Sequence, residues 1–211
     1  MRTLLFVLCL LSSVLGPLVR AAGPVELASD LAYLRVHSAV VEREAITAAL
    51  AQSRALVLDL RYPQDERGAD ETLRQALAGR PADSRLYVLV SPATPVPVVG
   101  VVAANPARLV TLGVKGSKPE PKVVILQTAE DDRRAYDAHK AGTSLADLIS
   151  GKMDKERFDE ASLVHEFKNG NPEPKPPEAG PANTPGSPAR LTDRVLQRSL
   201  HLHRALQALK R

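Results

Sequence analysis

The chain has 211 residues with 28 Lys and Arg against 24 Asp and Glu, a net charge of only +4, which gives no general basis for binding nucleic acid. A single cysteine excludes an intramolecular disulfide framework. An apolar core must therefore hold the fold, and 44% hydrophobic residues with 3% aromatic make it a core of Ala, Val and Leu, as suits an α/β layer protein.

The beginning of the chain reads as an export leader. Basic Arg2, the apolar run from Leu4 to Leu15 and the small residues Ala21 and Ala22 follow the tripartite order of a secretory signal peptide. The run falls short of the ~20 residues that a membrane-spanning helix needs. Val19 and Ala21 fit the third and first positions before a signal-peptidase cut, so cleavage is expected after Ala21, leaving 190 of the 211 residues in the periplasm or outside the cell. Cys9 lies within the leader, and the mature chain then has no thiol.

Past the leader, short apolar runs alternate with segments of helical period. Leu31 to Val36 reads as a strand, and Ala45, Ile46, Ala49 and Leu50 give the stretch Val41 to Gln52 a helical apolar face. Ala55 to Leu60 and Leu86 to Val90 are near-continuous apolar runs, the pattern of strands covered on both faces of a parallel sheet. Between them, Asp70 to Ala78 predicts a helix stopped by Gly79. Val96 to Ala104 predicts a buried helix that Pro95 and Pro97 confine to starting near them. Leu109 to Leu112 and Lys122 to Leu126 predict two further strands.

Strand, helix, strand, helix, strand in this order predicts an α/β fold whose mostly parallel sheet is joined by right-handed crossover helices. From Glu130 to Phe167 the pattern turns helical throughout, with an apolar stripe through Tyr136, Leu145, Leu148, Ile149, Phe158 and Leu163. The stretch 171–190 is crowded with proline and almost empty of large apolar residues, which predicts a semi-rigid linker. After it, 191–211 predicts an amphipathic helix capped by Thr192, with Leu191, Val195, Leu202, Leu206 and Leu209 on one side and Arg194, Arg198 and Arg204 on the other. The expected organisation is a leader at 1–21, an α/β domain with a helical extension at 22–170, the linker at 171–190 and the basic helix at 191–211.

A helix this short needs something to dock on. Its own domain, a second copy of the chain, an anionic membrane surface and a partner groove are the surfaces expected for it. His201 and His203, two apart, point in different directions on that helix and make poor joint metal ligands. No metal and no cofactor is expected.

The order of LAYLRVHS, ALVLDLRYP, RLYVLVSPATP and ARLVTLGVKG, with helices between, resembles the core of the carboxyl-terminal processing (tail-specific) serine proteases, whose fold is of the Clp protease/crotonase type. The likeness covers under half of the chain, and Leu58-Asp59-Leu60-Arg61 is its closest local match. It implies a nucleophile near Ser91 or Thr94 and a base at Lys115 or Lys118. In that family a glycine pair after the Leu-Asp-Leu-Arg strand supplies a backbone N–H to the oxyanion hole. Here Tyr62, Pro63, Gln64 and Asp65 stand there instead, and proline has no N–H to offer. Proline also follows both Ser91 and Thr94.

Other residues at strand ends carry bland readings. Asp59 beside Arg61 suggests a local carboxylate pair, His37 an exposed loop histidine, and Gly113 to Lys118 a flexible turn without the spacing of a phosphate loop. The expectation is an exported, non-catalytic module that binds a protein or peptide and self-associates through its C-terminal helix. The alternative is an active serine-type peptidase with a Ser/Thr-Lys dyad.

Overall fold

The computed structural model describes residues 23–150 and 191–209. The leader, the stretch 151–170 of the expected long helical segment and the proline-rich linker lie outside the described residues. Six strands form one sheet, ordered β1-β2-β3-β4-β5-β6 from edge to edge. They are β1 (Val25–Ala28), β2 (Leu31–Arg35), β3 (Ala55–Asp59), β4 (Leu86–Val90), β5 (Val110–Val114) and β6 (Val123–Ile125). Strands β2 to β6 pair in parallel, and only β1 runs against its neighbour. The α/β class and the mostly parallel sheet are as the apolar runs predict.

Spatial order equals chain order, so each crossover steps in the same direction and right-handed connections put their helices on one face. Helices α1 (Arg43–Leu50), α2 (Ala69–Ala78) and α3 (Val96–Ala103) cover that face. Ile46, Leu73 and Val98 from these helices pack there on Leu34, Leu58 and Val88. The opposite face carries Leu31, Tyr33, Val57, Tyr87, Leu89 and Leu112, covered by Val195, Leu196 and Leu200 of α6 (Arg194–Ala208) with Leu145 and Ile149 of α5 (Leu145–Ile149) beside them. Because both faces are covered, every residue of β2, β3 and β4 is buried, which is why those strands lack polar alternation.

Three expectations are corrected. The helical segment from Glu130 onward is interrupted: α4 (Ala129–Lys140) ends before Gly142, whose φ of 103° is left-handed, and α5 starts afresh where the Ser144 hydroxyl accepts the Asp147 N–H. The cap of α6 is Asp193, whose carboxylate accepts the Leu196 N–H, rather than Thr192. The buried stripe of α6 is Val195, Leu196, Gln197, Ser199, Leu200 and His203, while Leu209 is 82% exposed. Polar members can face inward because each finds a partner: Gln197 donates to the Ile149 carbonyl, Ser199 to the Leu196 carbonyl, and His203 meets Asp30 at 2.9 Å. Arg194, Arg198 and Arg204 face outward, as the sequence pattern predicts. Among the described residues no helix is long and apolar enough to cross a membrane.

Candidate functional site

The carboxyl ends of parallel strands are where α/β folds collect their ligand sites, and here that end is built around one guanidinium. Arg61, two residues past the end of β3, is 1% exposed. Its Nε and Nη2 grip Asp59 at 3.0 and 2.7 Å. Its Nη1 and Nη2 grip Asp193 at 3.1 and 2.8 Å, and Nη1 also reaches Asp132 at 2.7 Å. All five donors of the guanidinium are engaged, in two bidentate forks and a single bond.

The three carboxylates come from different places. Asp59 ends β3, Asp132 lies in the first turn of α4, and Asp193 caps α6. Tyr33 on β2 donates its hydroxyl to Asp59 at 2.8 Å, and Tyr62 donates to Asp132 at 2.7 Å. Burial alone raises the Asp59 carboxyl, but Arg61 and the Tyr33 hydroxyl outweigh it and hold the group below its ordinary value. Asp132 goes the other way. Burial, reinforced by the nearby Asp193 charge, raises its carboxyl despite Arg61. One guanidinium cannot satisfy three carboxylates equally, and Asp132 is the one whose charged form is disfavoured. Burial opposes the charge on Arg61, yet the three carboxylates together push its pKa well above the ordinary value. Three converging carboxylates invite a cation, and Arg61 fills that place; no group of His, Cys, Asp or Glu that could hold a metal ion occurs among the described residues.

Ser91 and Thr94, the residues where a nucleophile is implied, sit beside this centre and are brought together. Both are buried, at 0% and 5% exposure. The Ser91 hydroxyl donates to the Arg61 carbonyl and accepts the Ala93 N–H at 3.1 Å. Thr94 Oγ1 accepts the Ser91 N–H and donates to the Leu60 carbonyl, each at 2.9 Å. The amides in this bend are closed as well: Pro92 and Pro95 have no N–H, Ala93 points at the Ser91 hydroxyl, and Thr94 at the Ser91 carbonyl. Gln64, in the other loop where an oxyanion donor is implied, gives its N–H to the His37 carbonyl at 2.7 Å. The side chains of Lys115 and Lys118 are exposed, and it is the Lys118 main-chain N–H, at 3.3 Å, that reaches the Ser91 carbonyl.

No protein-family model, no curated protein and no solved structure matches the chain. Its chemistry therefore has to be read from its own groups.

Around the buried centre, the Arg35 guanidinium lies over the Tyr136 ring with its carbon 3.4 Å from the centroid, a cation–π contact. Arg35 Nε, Arg35 Nη2 and the Tyr136 hydroxyl find no partner of good hydrogen-bond geometry among the described residues. His37 is exposed, its ring 6.4 Å from Tyr136, and partial burial together with Arg35 and Lys140 lowers its pKa. The Gly113 to Lys118 segment is a tight turn off β5 rather than a loose one: the Ser117 hydroxyl donates to the Val90 carbonyl, and a Cβ on Gly113 would lie 2.5 Å from that same carbonyl oxygen.

One of the open spaces in this half of the molecule lies at the sheet edge. A groove of about 640 Å³ runs beside β6, with Val124, Leu126 and Leu191 as its apolar floor and Lys115, Arg134 and Arg194 on its rim. The sequence marks β6 as a strand, but nothing local in it shows that this strand would be the sheet's edge. That follows only from the strand order.

Proposed function

We propose that this chain is an exported, non-catalytic module that binds a protein or peptide, built on a scaffold of the Clp protease/crotonase type with the catalytic positions of a tail-specific protease closed. The observation that carries the proposal is the state of Ser91 and Thr94. Both hydroxyls are buried and bonded to main chain, and among the described residues no lysine ammonium or free amide hydrogen faces them. A nucleophile needs an adjacent base and a site for the developing oxyanion, and this bend offers neither. Binding is supported by the groove along β6, whose volume is that of a ligand site and whose floor and rim combine apolar and charged groups. The leader-like first 21 residues support export.

The decisive assay incubates the purified mature chain with a mixture of unstructured peptides and follows cleavage by mass spectrometry. No cleavage is expected. Turnover that Ser91→Ala or Thr94→Ala abolishes would overturn the non-catalytic reading.

A further inference from the structure

We infer that β6 is a receiving edge, which an extended acidic segment of a partner protein joins as a seventh strand. This rests on the proposed binding role and adds to it a place, a mode and a partner chemistry.

The two edges of the sheet are built differently. At one edge β1 is antiparallel, its register shifts between Glu26 and Ala28, and Glu26 is exposed on it. A bulge and a charge are two of the devices by which edge strands discourage further pairing; β6 has neither, although at three residues it is short. At the other edge the run Val123-Val124-Ile125-Leu126 carries neither charge nor proline, and its register with β5 is unbroken from Leu112↔Val123 to Val114↔Ile125. Val123 and Ile125 turn toward the α6 face and pack there, whereas Val124 is 49% and Leu126 78% exposed. A neutral, unbulged edge with exposed branched side chains is a template for strand addition, in which backbone bonds supply affinity and alternate side-chain pockets supply selectivity.

Charge selects among occupants. Among the described residues Lys115, Arg134 and Arg194 border the groove with one carboxylate, Asp131, which is bonded to Arg134 at 2.5 Å, while Arg194 Nη1 donates to the Leu126 carbonyl at 3.5 Å. Lys115 pairs with none of the described residues. Two-fold pairing of β6 with its own copy would set this positive rim against itself, and like charges facing each other across a strand pair are destabilising. An extended segment alternating apolar and acidic residues places its apolar side chains on Val124 and Leu126 and its carboxylates against the rim.

The test uses the mature chain and three blocked peptides of roughly eight residues: one alternating Glu with Val, one alternating Lys with Val, and the first with Pro at alternate positions. Affinity is read by fluorescence anisotropy and location by amide hydrogen exchange. The Glu–Val peptide is expected to bind and to slow exchange at residues 123–127, the proline peptide to fail, and Val124→Glu or Lys115→Glu to weaken binding at least about tenfold. Equal or tighter binding of the Lys–Val peptide overturns the inference, as does no binding of the Glu–Val peptide. Binding with protection elsewhere on the molecule sinks the β6 assignment and leaves the binding module standing. A two-chain mass in sedimentation that Val124→Lys reduces to one chain assigns the edge to a second copy and also overturns it. Cleavage of a peptide, by contrast, strikes the non-catalytic reading alone.

Discussion

Arg61→Met probes the buried centre most directly. The change keeps much of the side-chain volume but removes five charge-assisted hydrogen bonds and leaves Asp59, Asp132 and Asp193 facing one another. Removing one partner of a buried ion pair costs about 3–5 kcal/mol. Three carboxylates lose their partner here, yet the loss does not triple, because Asp132 already has a raised pKa and takes up a proton readily. A loss of about 4–5 kcal/mol is expected, a large share of the 5–15 kcal/mol that typical domains possess. At about 2–4 °C per kcal/mol this lowers Tm by roughly 10–20 °C.

Urea unfolding followed by circular dichroism at pH 7 and pH 5 measures the effect, and the sign of its pH dependence is fixed. In the native chain the Asp59 carboxyl lies below its ordinary value, so its pairing stabilises above the unfolded pKa and that contribution fades as pH falls through the folded one. Without Arg61 only the Tyr33 hydroxyl still opposes burial, and the two facing carboxylates add to it, so the carboxyl rises above the unfolded value. The variant is then most destabilised at pH 7 and recovers part of the loss at pH 5. A loss below about 1 kcal/mol at pH 7, or one of the same size at both pH values, refutes the reasoning.

Gly113→Ala would set a Cβ 2.5 Å from the Val90 carbonyl oxygen and 2.7 Å from Ser117 Oγ; overpacking of that kind costs about 1–3 kcal/mol, read from the urea midpoint. Ser91→Ala removes the donor to the Arg61 carbonyl and leaves the Ala93 N–H unpaired, so it should lower stability by about 1–3 kcal/mol and leave the peptide-hydrolysis background unchanged. The Asp30 carboxyl is held below its ordinary value of 3.8, first by its hydrogen bond with His203. That stabilisation is present above the ordinary value and is lost as pH falls through the lower folded one, so Asp30→Asn should flatten the acid limb of a plot of Tm against pH.

What the sequence made legible follows from how many residues carried each signal. β3 and β4 could be read because burial on both faces turns a whole strand apolar, and α3 because Pro95, its N-cap, marks a start that proline tolerates. β1 had no such signal: four residues, half-exposed, with a bulge. The face of α6 was misplaced because an apolar stripe takes no account of Gln197 and His203, which face inward on hydrogen bonds to Ile149 and Asp30, or of Ser199, whose hydroxyl is satisfied by the Leu196 carbonyl of its own helix. Asp59 and Arg61 are two residues apart, and their pairing was readable. Asp132 and Asp193 lie 71 and 132 residues from Arg61, and no local pattern announces a contact at that separation.

That long-range contact bears on the groove. Asp193 is 2% exposed and cannot touch a ligand, but its neighbours Thr192 and Arg194 line the groove beside β6, and its grip on Arg61 fixes where they stand. Asp193→Asn separates the two roles of the residue, because asparagine caps a helix about as well as aspartate while giving up the ion pair. The loss of a hydrogen-bonded charge partner should destabilise the chain by about 1.5–3 kcal/mol. Hydrogen exchange at residues 191–196 should quicken, and the Glu–Val peptide should bind several-fold more weakly because one wall of its groove is no longer held. Electrostatics alone demands the opposite, since deleting a negative charge near the rim favours an acidic ligand. Tighter binding would therefore show that charge, not the position of this wall, governs the groove, and unchanged binding with quickened exchange would show that the α6 wall takes no part in it.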